Sequence, residues 1–268
     1  MRFSSILCAI FYFSFLTATE PVTTMRAPAN GIQPQAVIDA VGTMHLIYFT
    51  GDAKGGDAWY VRQVVGTTEF STPLRVNSQP ASVMAIGSVR GAHLAIGRQG
   101  RAHVAWMGAA GALPKAIGDS APMLYSRLNA AGTAFEPQRN LVQAATGLDG
   151  GGTVAANERG DVEVAWHAMA GAKDEAGRAV YVAVSHDDGT TFAREVPVTT
   201  QPTGACGCCS MCAFTDALGH VAMLYRGASG NTERGMILLT STDGKRYTVT
   251  PLQSWKLQSC PTFANGAR

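Results

Sequence analysis

The stretch Gly152-Thr153-Val154-Ala155-Ala156-Asn157-Glu158-Arg159-Gly160-Asp161-Val162-Glu163-Val164-Ala165-Trp166 decides the fold. Gly152 to Ala156 read as a short strand, Asn157 to Gly160 as a turn ending in a residue suited to left-handed geometry, and Val162 to Trp166 alternate as a half-buried strand does. The pattern recurs. Gly42, Gly100, Gly160 and Gly219 lie 58, 60 and 59 residues apart, and each is followed six positions later by an aromatic: Tyr48, Trp106, Trp166 and Tyr225. Asp39, Asn157 and Asp216 stand three residues before their glycines, where an Asx side chain closes a turn. A fixed period of this order marks stacked or radial repeats.

The remainder of the third copy completes a unit. A loop from Ala168 to Gly177 leads to a third strand, Ala179 to Val184, and a fourth is centred on Glu195 to Val198. Third strands in the other copies are Trp59 to Arg62, Met123 to Ser126 and Met236 to Leu239. The aromatics Phe70, Phe135, Phe192 and Tyr247 follow the four third strands in turn. Helical periodicity is absent. Four strands in meander order, repeated radially, predict the blades of a β-propeller.

Ser185-His186-Asp187-Asp188-Gly189-Thr190-Thr191-Phe192 resembles the Asp-box, or BNR repeat, of sialidase-like propellers, matching it at Ser185, Asp187, Gly189, Thr191 and Phe192. Ser241 to Tyr247 resembles a shortened box, and Arg62 to Phe70 and Ser126 to Phe135 resemble decayed ones. The resemblance implies an all-β, sialidase-like β-propeller. It also implies a structural box, whose aspartate accepts hydrogen bonds from its own turn and whose aromatic packs between sheets. Propellers of this family usually have six blades, about 350 residues at this period. The expectation here is four complete four-stranded blades plus the first strand of a fifth in Cys260 to Gly266, a C-terminally truncated member.

Arg2, the apolar run Ile6 to Leu16 and the small residues Thr17-Ala18-Thr19 have the layout of a signal peptide over residues 1–18. That leaves a partial propeller over 19–268, placed outside the cytoplasm as a secreted or periplasmic protein. The apolar run is too short to span a bilayer. Charged residues make up 15% of the chain, the formal net charge is +2 and no basic block occurs, which argues against a nucleic-acid partner.

Sialidases hold the substrate carboxylate with three arginines, use an aspartate as acid/base and a glutamate-assisted tyrosine as nucleophile. Met25-Arg26-Ala27-Pro28 resembles the family's first arginine motif. Asp57, in a predicted loop from Phe49 to Asp57, stands where the family places its acid/base. Arg226, directly after Tyr225, resembles the second arginine. Two departures stand beside these matches: Asp52 replaces an arginine of that loop, and Gly204 to Cys212, where the glutamate belongs, holds no carboxylate. The resemblance therefore implies one of two proteins. One is an exo-α-sialidase-related glycoside hydrolase homologue with Asp57 catalytic and Arg26 and Arg226 holding a sialylated or other glycan. The other is a non-catalytic binding or scaffold propeller. Neither calls for a cofactor.

Cys206, Cys208, Cys209 and Cys212 fall within seven residues at the entry to the fourth unit, and Cys260 holds nearly the equivalent place in the fifth. In an exported chain the default is disulfides. The alternative is a thiolate site for zinc or copper(I). His45, His103 and His220 are read as structural, and Trp106 and Trp166 as packing between blades.

Overall fold

The computed structural model describes residues 24–87, 91–118, 120–170, 174–199 and 203–258. The signal-peptide segment and the fifth-blade strand with Cys260 lie outside the described residues. Four antiparallel sheets of four strands account for the rest. The first blade holds β1 (Ile32–Ile38), β2 (Met44–Asp52), β3 (Gly55–Gln63) and β4 (Leu74–Arg75), and the second β5 (His93–Ile96), β6 (Ala102–Met107), β7 (Met123–Arg127) and β8 (Arg139–Asn140). The third holds β9 (Gly152–Ala156), β10 (Val162–Met169), β11 (Arg178–Ser185) and β12 (Val196–Pro197), and the fourth β13 (Cys212–Thr215), β14 (Val221–Arg226), β15 (Met236–Ser241) and β16 (Thr248–Pro251). Every sheet is a simple meander, so the connections fall on two faces. The turn face carries the first-to-second and third-to-fourth strand turns. The mouth face carries the second-to-third connections and the entries into each blade.

The four repeat glycines all adopt positive φ, between 70° and 89°, and each donates its N–H to the carbonyl three residues back. A side chain is disfavoured in that left-handed geometry, which explains the glycine at each period. The repeat aromatics bury the wedges between blades. Trp106 packs with Ile47, Phe49 and Tyr60 of the first blade, and Trp166 with Met123 and Tyr125 of the second. Tyr225 packs with Val180 and Val182 of the third. Both tryptophans have no exposed surface, and side chains of this size remove about 150–250 Å² each from water. The second, third and fourth blades thus each drive their aromatic toward the blade before, whereas Tyr48 packs with Leu46 and Val61 of its own blade.

The turn face is held by contacts that run between neighbouring blades. Arg98 donates to the carbonyls of Glu158 and Arg159, and Arg159 in turn donates to Leu218 O. Arg127 and Arg139 reach the carbonyls of Asp188, Gly189 and Thr190. The position three residues after the repeat glycine is a second latch. His45 contacts Tyr60 and Asp39, His103 contacts Tyr125 and Asp188, and Glu163 accepts a 2.6 Å hydrogen bond from Tyr247 Oη. Burial pushes the Glu163 carboxyl up to about 7, against the hydrogen bond from Tyr247.

The Ser185 to Phe192 turn closes on itself. Ser185 Oγ donates to Asp187 Oδ1 at 2.7 Å and accepts from Gly189 N at 2.9 Å, while Thr191 donates to Asp187 through both N (2.8 Å) and Oγ1 (2.6 Å). Burial pulls the Asp187 carboxyl upward, but the bonds from Thr191 and Ser185 outweigh it and hold it down to about 2. Phe192 meets Tyr125 edge-on at 4.8 Å, joining the third blade to the second.

Candidate functional site

The mouth face between the third and fourth blades gathers charged side chains from several separate segments. A 3₁₀ turn, Glu175–Gly177, begins after Asp174, whose carboxylate caps it at Gly177 N. Glu175 then meets three groups from other segments: Arg234 forms an ion pair with it, Arg178 Nη1 lies 3.4 Å from Oε1, and Gly207 N donates to Oε1 at 2.8 Å. Burial raises the Glu175 carboxyl, yet Arg234 and the Gly207 N–H more than compensate and hold it below the usual carboxylate range. Arg178 also pairs with Asp149 at 2.8 Å. Arg226, 6% exposed, donates to Arg234 O at 2.6 Å and lies 5.2 Å from the Trp255 ring centre, a cation–π distance. This cluster sets three guanidinium groups, Arg178, Arg226 and Arg234, against two carboxylates, Asp149 and Glu175.

The cysteine loop is pinned onto this cluster. Ala205 N donates to Glu175 O and Cys206 N to Arg226 O, and Cys209 N closes back on Cys206 O at 3.3 Å. A Cβ at Gly207 would lie 2.6 Å from Asp149 Oδ2 and 2.7 Å from Arg178 Nη1, so that ion pair would have to shift to admit a side chain. The sulfur atoms of Cys206, Cys208 and Cys209 lie within 4.8 Å of one another, and those of Cys206 and Cys208 are 3.1 Å apart. Cys208 is disulfide-bonded, whereas Cys206, Cys209 and Cys212 are thiols. The Cys206 thiol is pushed far up by its hydrogen bond to Cys209 and by burial. Ser210 Oγ lies 3.4 Å from Nε2 of His93 at the start of β5, so the loop reaches the inner strand of the second blade. Burial pushes His93 down to about 4.

Beneath the charges, His167 on β10 is fully buried with its ring 5.7 Å from that of Tyr225. Neither ring nitrogen has a hydrogen-bond partner among the described residues. Burial, reinforced by Arg178, pushes it down to about 4, so the ring is neutral at physiological pH.

The residues singled out by the family resemblance are placed apart in their contacts. Asp57 lies in strand β3, opposite Thr50, and not in a loop as predicted. The hairpin is tighter than the sequence reading: Phe49 to Asp52 finish β2, Asp52 Oδ1 caps the turn at Lys54 N, and Gly55 opens β3. Asp57 Oδ1 accepts from Asn77 Nδ2 at 2.7 Å and from Ala81 N at 2.9 Å. Asn77 Oδ1 in turn accepts from Ala58 N, so the carboxylate ties β3 to the segment entering the second blade. Arg26 is exposed on the segment before β1. Arg226 is in the mouth cluster described above. Sequence reasoning missed Asp149, Glu175, Arg178 and Arg234, which come from four separate segments with no common spacing. Their one signal was Glu175 and Arg178, three residues apart in a single connection.

No family model matches the chain, and no curated protein does. Solved structures match its fold. A Hadza microbial sialidase, Hz136, superposes with a TM-score of 0.51 at 16% identity, covering 83% of this chain and 46% of its own. Trypanosoma rangeli sialidase in complex with the inhibitor DANA gives 0.53 at 13%, covering 81% and 37%. A protein of unknown function from Dyadobacter fermentans gives 0.53 at 15%, covering 82% and 68%. The architecture is that of a sialidase-like β-propeller. The chain spans about half the length of the first of these sialidases. Among the described residues no helix is long and apolar enough to cross a membrane.

Proposed function

We propose that this chain is a glycan-binding propeller of the sialidase-like class that does not use Asp57 as a general acid. The observation carrying this reading is the engagement of the Asp57 carboxylate inside strand β3 by Asn77 and Ala81. A general acid must present its proton to a leaving oxygen within hydrogen-bond reach. Here Oδ1 of the carboxylate is engaged by the segment that enters the second blade. Arg226 is likewise committed, to the Arg234 carbonyl and the face of Trp255. A sialylated glycan is the ligand class that the sialidase neighbours suggest. Export through residues 1–18 belongs to the same reading and is checked by N-terminal sequencing of the mature protein.

Hydrolysis of a fluorogenic sialoside, measured beside binding to immobilised sialylated and neutral glycans, tests the proposal. Binding without turnover is the expected outcome. The Asp57→Asn variant keeps an acceptor oxygen for Asn77 and Ala81, so it should fold and bind as the parent does. Turnover by the parent that disappears in Asp57→Asn would overturn the reading. It would favour the hydrolase alternative, with Asp57 as acid and Arg26 and Arg226 on the substrate carboxylate.

A further inference from the structure

A cleft opens on the mouth face of the fourth blade, beside the charge cluster, and its lining has a chemistry of its own. We infer that this cleft is a subsite for a neutral sugar unit, an assignment that rests on the glycan-binding reading and gives it a place. Three observations carry this.

The first is a shape already made. The cleft has a volume of about 590 Å³ and is bounded by the connection between β14 and β15, by the start of β15 and by residues 251–254. Small-ligand sites usually hold about 300–1,000 Å³. Among the described residues, none from the inner strands β1, β5, β9 and β13 lines it. Its walls are tied by backbone bonds: Gly227 N donates to Gly235 O at 2.9 Å, Ala228 N to Thr203 O at 3.0 Å and Leu252 N to Met236 O at 2.9 Å. A Cβ at Gly235 would collide with Gln253 O, so glycine is what lets those two segments approach. Little ordering is left to be done on binding, which favours affinity.

The second is an apolar strip. Ile237 and Pro251 are paired in register across β15 and β16, so they stand side by side on one face of the sheet. Leu252 extends the strip along the lining and is 54% exposed, a large apolar side chain left to solvent at the edge of a concavity. A ligand with a C–H face would cover it.

The third is the polar rim. Ser229, Gln253 and Ser254 each offer a donor and an acceptor, and the Glu233 carboxylate is a strong acceptor for hydroxyl groups. Among the described residues no arginine or lysine lines the cleft. Lys256 meets Glu233 at 3.1 Å from outside the lining, and with its side chain 78% exposed that pair is screened by solvent. A carboxylate, sulfate or phosphate would therefore face Glu233 without a cation in the lining to hold it. A long apolar chain would leave the rim unpaired. An uncharged pyranose carries C–H groups on its faces and hydroxyls round its edge, and so matches strip and rim together.

Saturation-transfer NMR of the purified protein with lactose, cellobiose, maltose and sialyllactose reads the cleft. The expected result is binding of at least one neutral disaccharide, and in sialyllactose saturation of the lactose protons. Glu233→Ala should weaken this binding by roughly tenfold or more, the worth of a hydrogen bond to a charged group. Ser254→Trp should block it, and Lys256→Ala should leave it as in the parent. Circular dichroism of each variant guards against unfolding. The inference is overturned by parent-like binding in Glu233→Ala and Ser254→Trp, by an equal loss in Lys256→Ala, which would reduce Glu233 to an ion-pair partner, or by saturation confined to the acidic sugar of sialyllactose. Each of those outcomes leaves the glycan-binding reading standing, whereas a parent that binds none of the four sugars and no immobilised glycan would remove both.

Discussion

The two faces of the propeller solve the same problem with different materials. On the turn face every blade repeats a turn closed by a glycine at positive φ, and the first three blades add a polar side chain three residues later that meets a neighbouring residue or blade. On the mouth face the backbone bonds repeat, but the charge cluster and the cysteine loop do not: among the described residues they are gathered between the third and fourth blades, from Asp149, the turn at Glu175, the cysteine loop and the ends of β14 and β15. Periodic contacts are what a shared scaffold requires, and aperiodic ones are what a particular ligand requires. The difference makes the mouth the place to test for ligand binding and the turns the place to test for stability.

That division can be tested from both sides. The largest effect should come from Glu163, the turn-face latch. Its folded pKa, about 7, is raised above the ordinary 4.5, so the folded state holds a proton that the unfolded state releases. Stability should therefore decline between those two values by up to about 3 kcal/mol and level off above. Glu163→Gln keeps an acceptor for Tyr247 and should abolish the decline, leaving the variant more stable than the parent at alkaline pH. Thermal unfolding across pH checks it, and an unchanged slope would remove Glu163 from the account.

Gly207→Ala addresses the mouth. The new methyl group would press on Asp149 and Arg178 at 2.6 and 2.7 Å, and overpacking of this kind costs about 1–3 kcal/mol. Denaturant unfolding should show the loss, and a neutral result would mean the loop is not fixed by the charge cluster. The smallest effect belongs to Asp187 on the turn face. Asp187→Ala should cost about 1 kcal/mol at neutral pH, kept low by solvent screening. Because the Asp187 pKa is depressed to about 2 from 3.8, the parent should lose its advantage as pH falls through that window.

Most of the scaffold was legible in the sequence because it repeats. Gly160 with Trp166 predicts a strand pair by itself, and three further copies make the blades. The placement of Trp106 and Trp166 between blades follows from the same spacing. Strand ends were less legible: β10 continues past Trp166 to Met169, and Asp57 belongs to β3 because a capped turn at Lys54 returns the chain early. The mouth cluster was illegible for a physical reason. Loop charges carry no periodicity, and Glu175 finds Arg234 only once two blades are docked. The cysteine spacing was plain, but which sulfurs are oxidised depends on three-dimensional approach.

The turn-face contacts also bear on how such a chain could grow. The side chains of Arg98, Arg127 and Arg139 in the second blade reach carbonyls of the third, and Arg159 of the third reaches a carbonyl of the fourth. The third blade therefore carries a plug on one flank and a socket on the other, both within its own stretch of sequence. A tandem duplication of such a stretch would deliver each new copy with its docking surfaces already made, so blade number can change by whole units without any contact being invented.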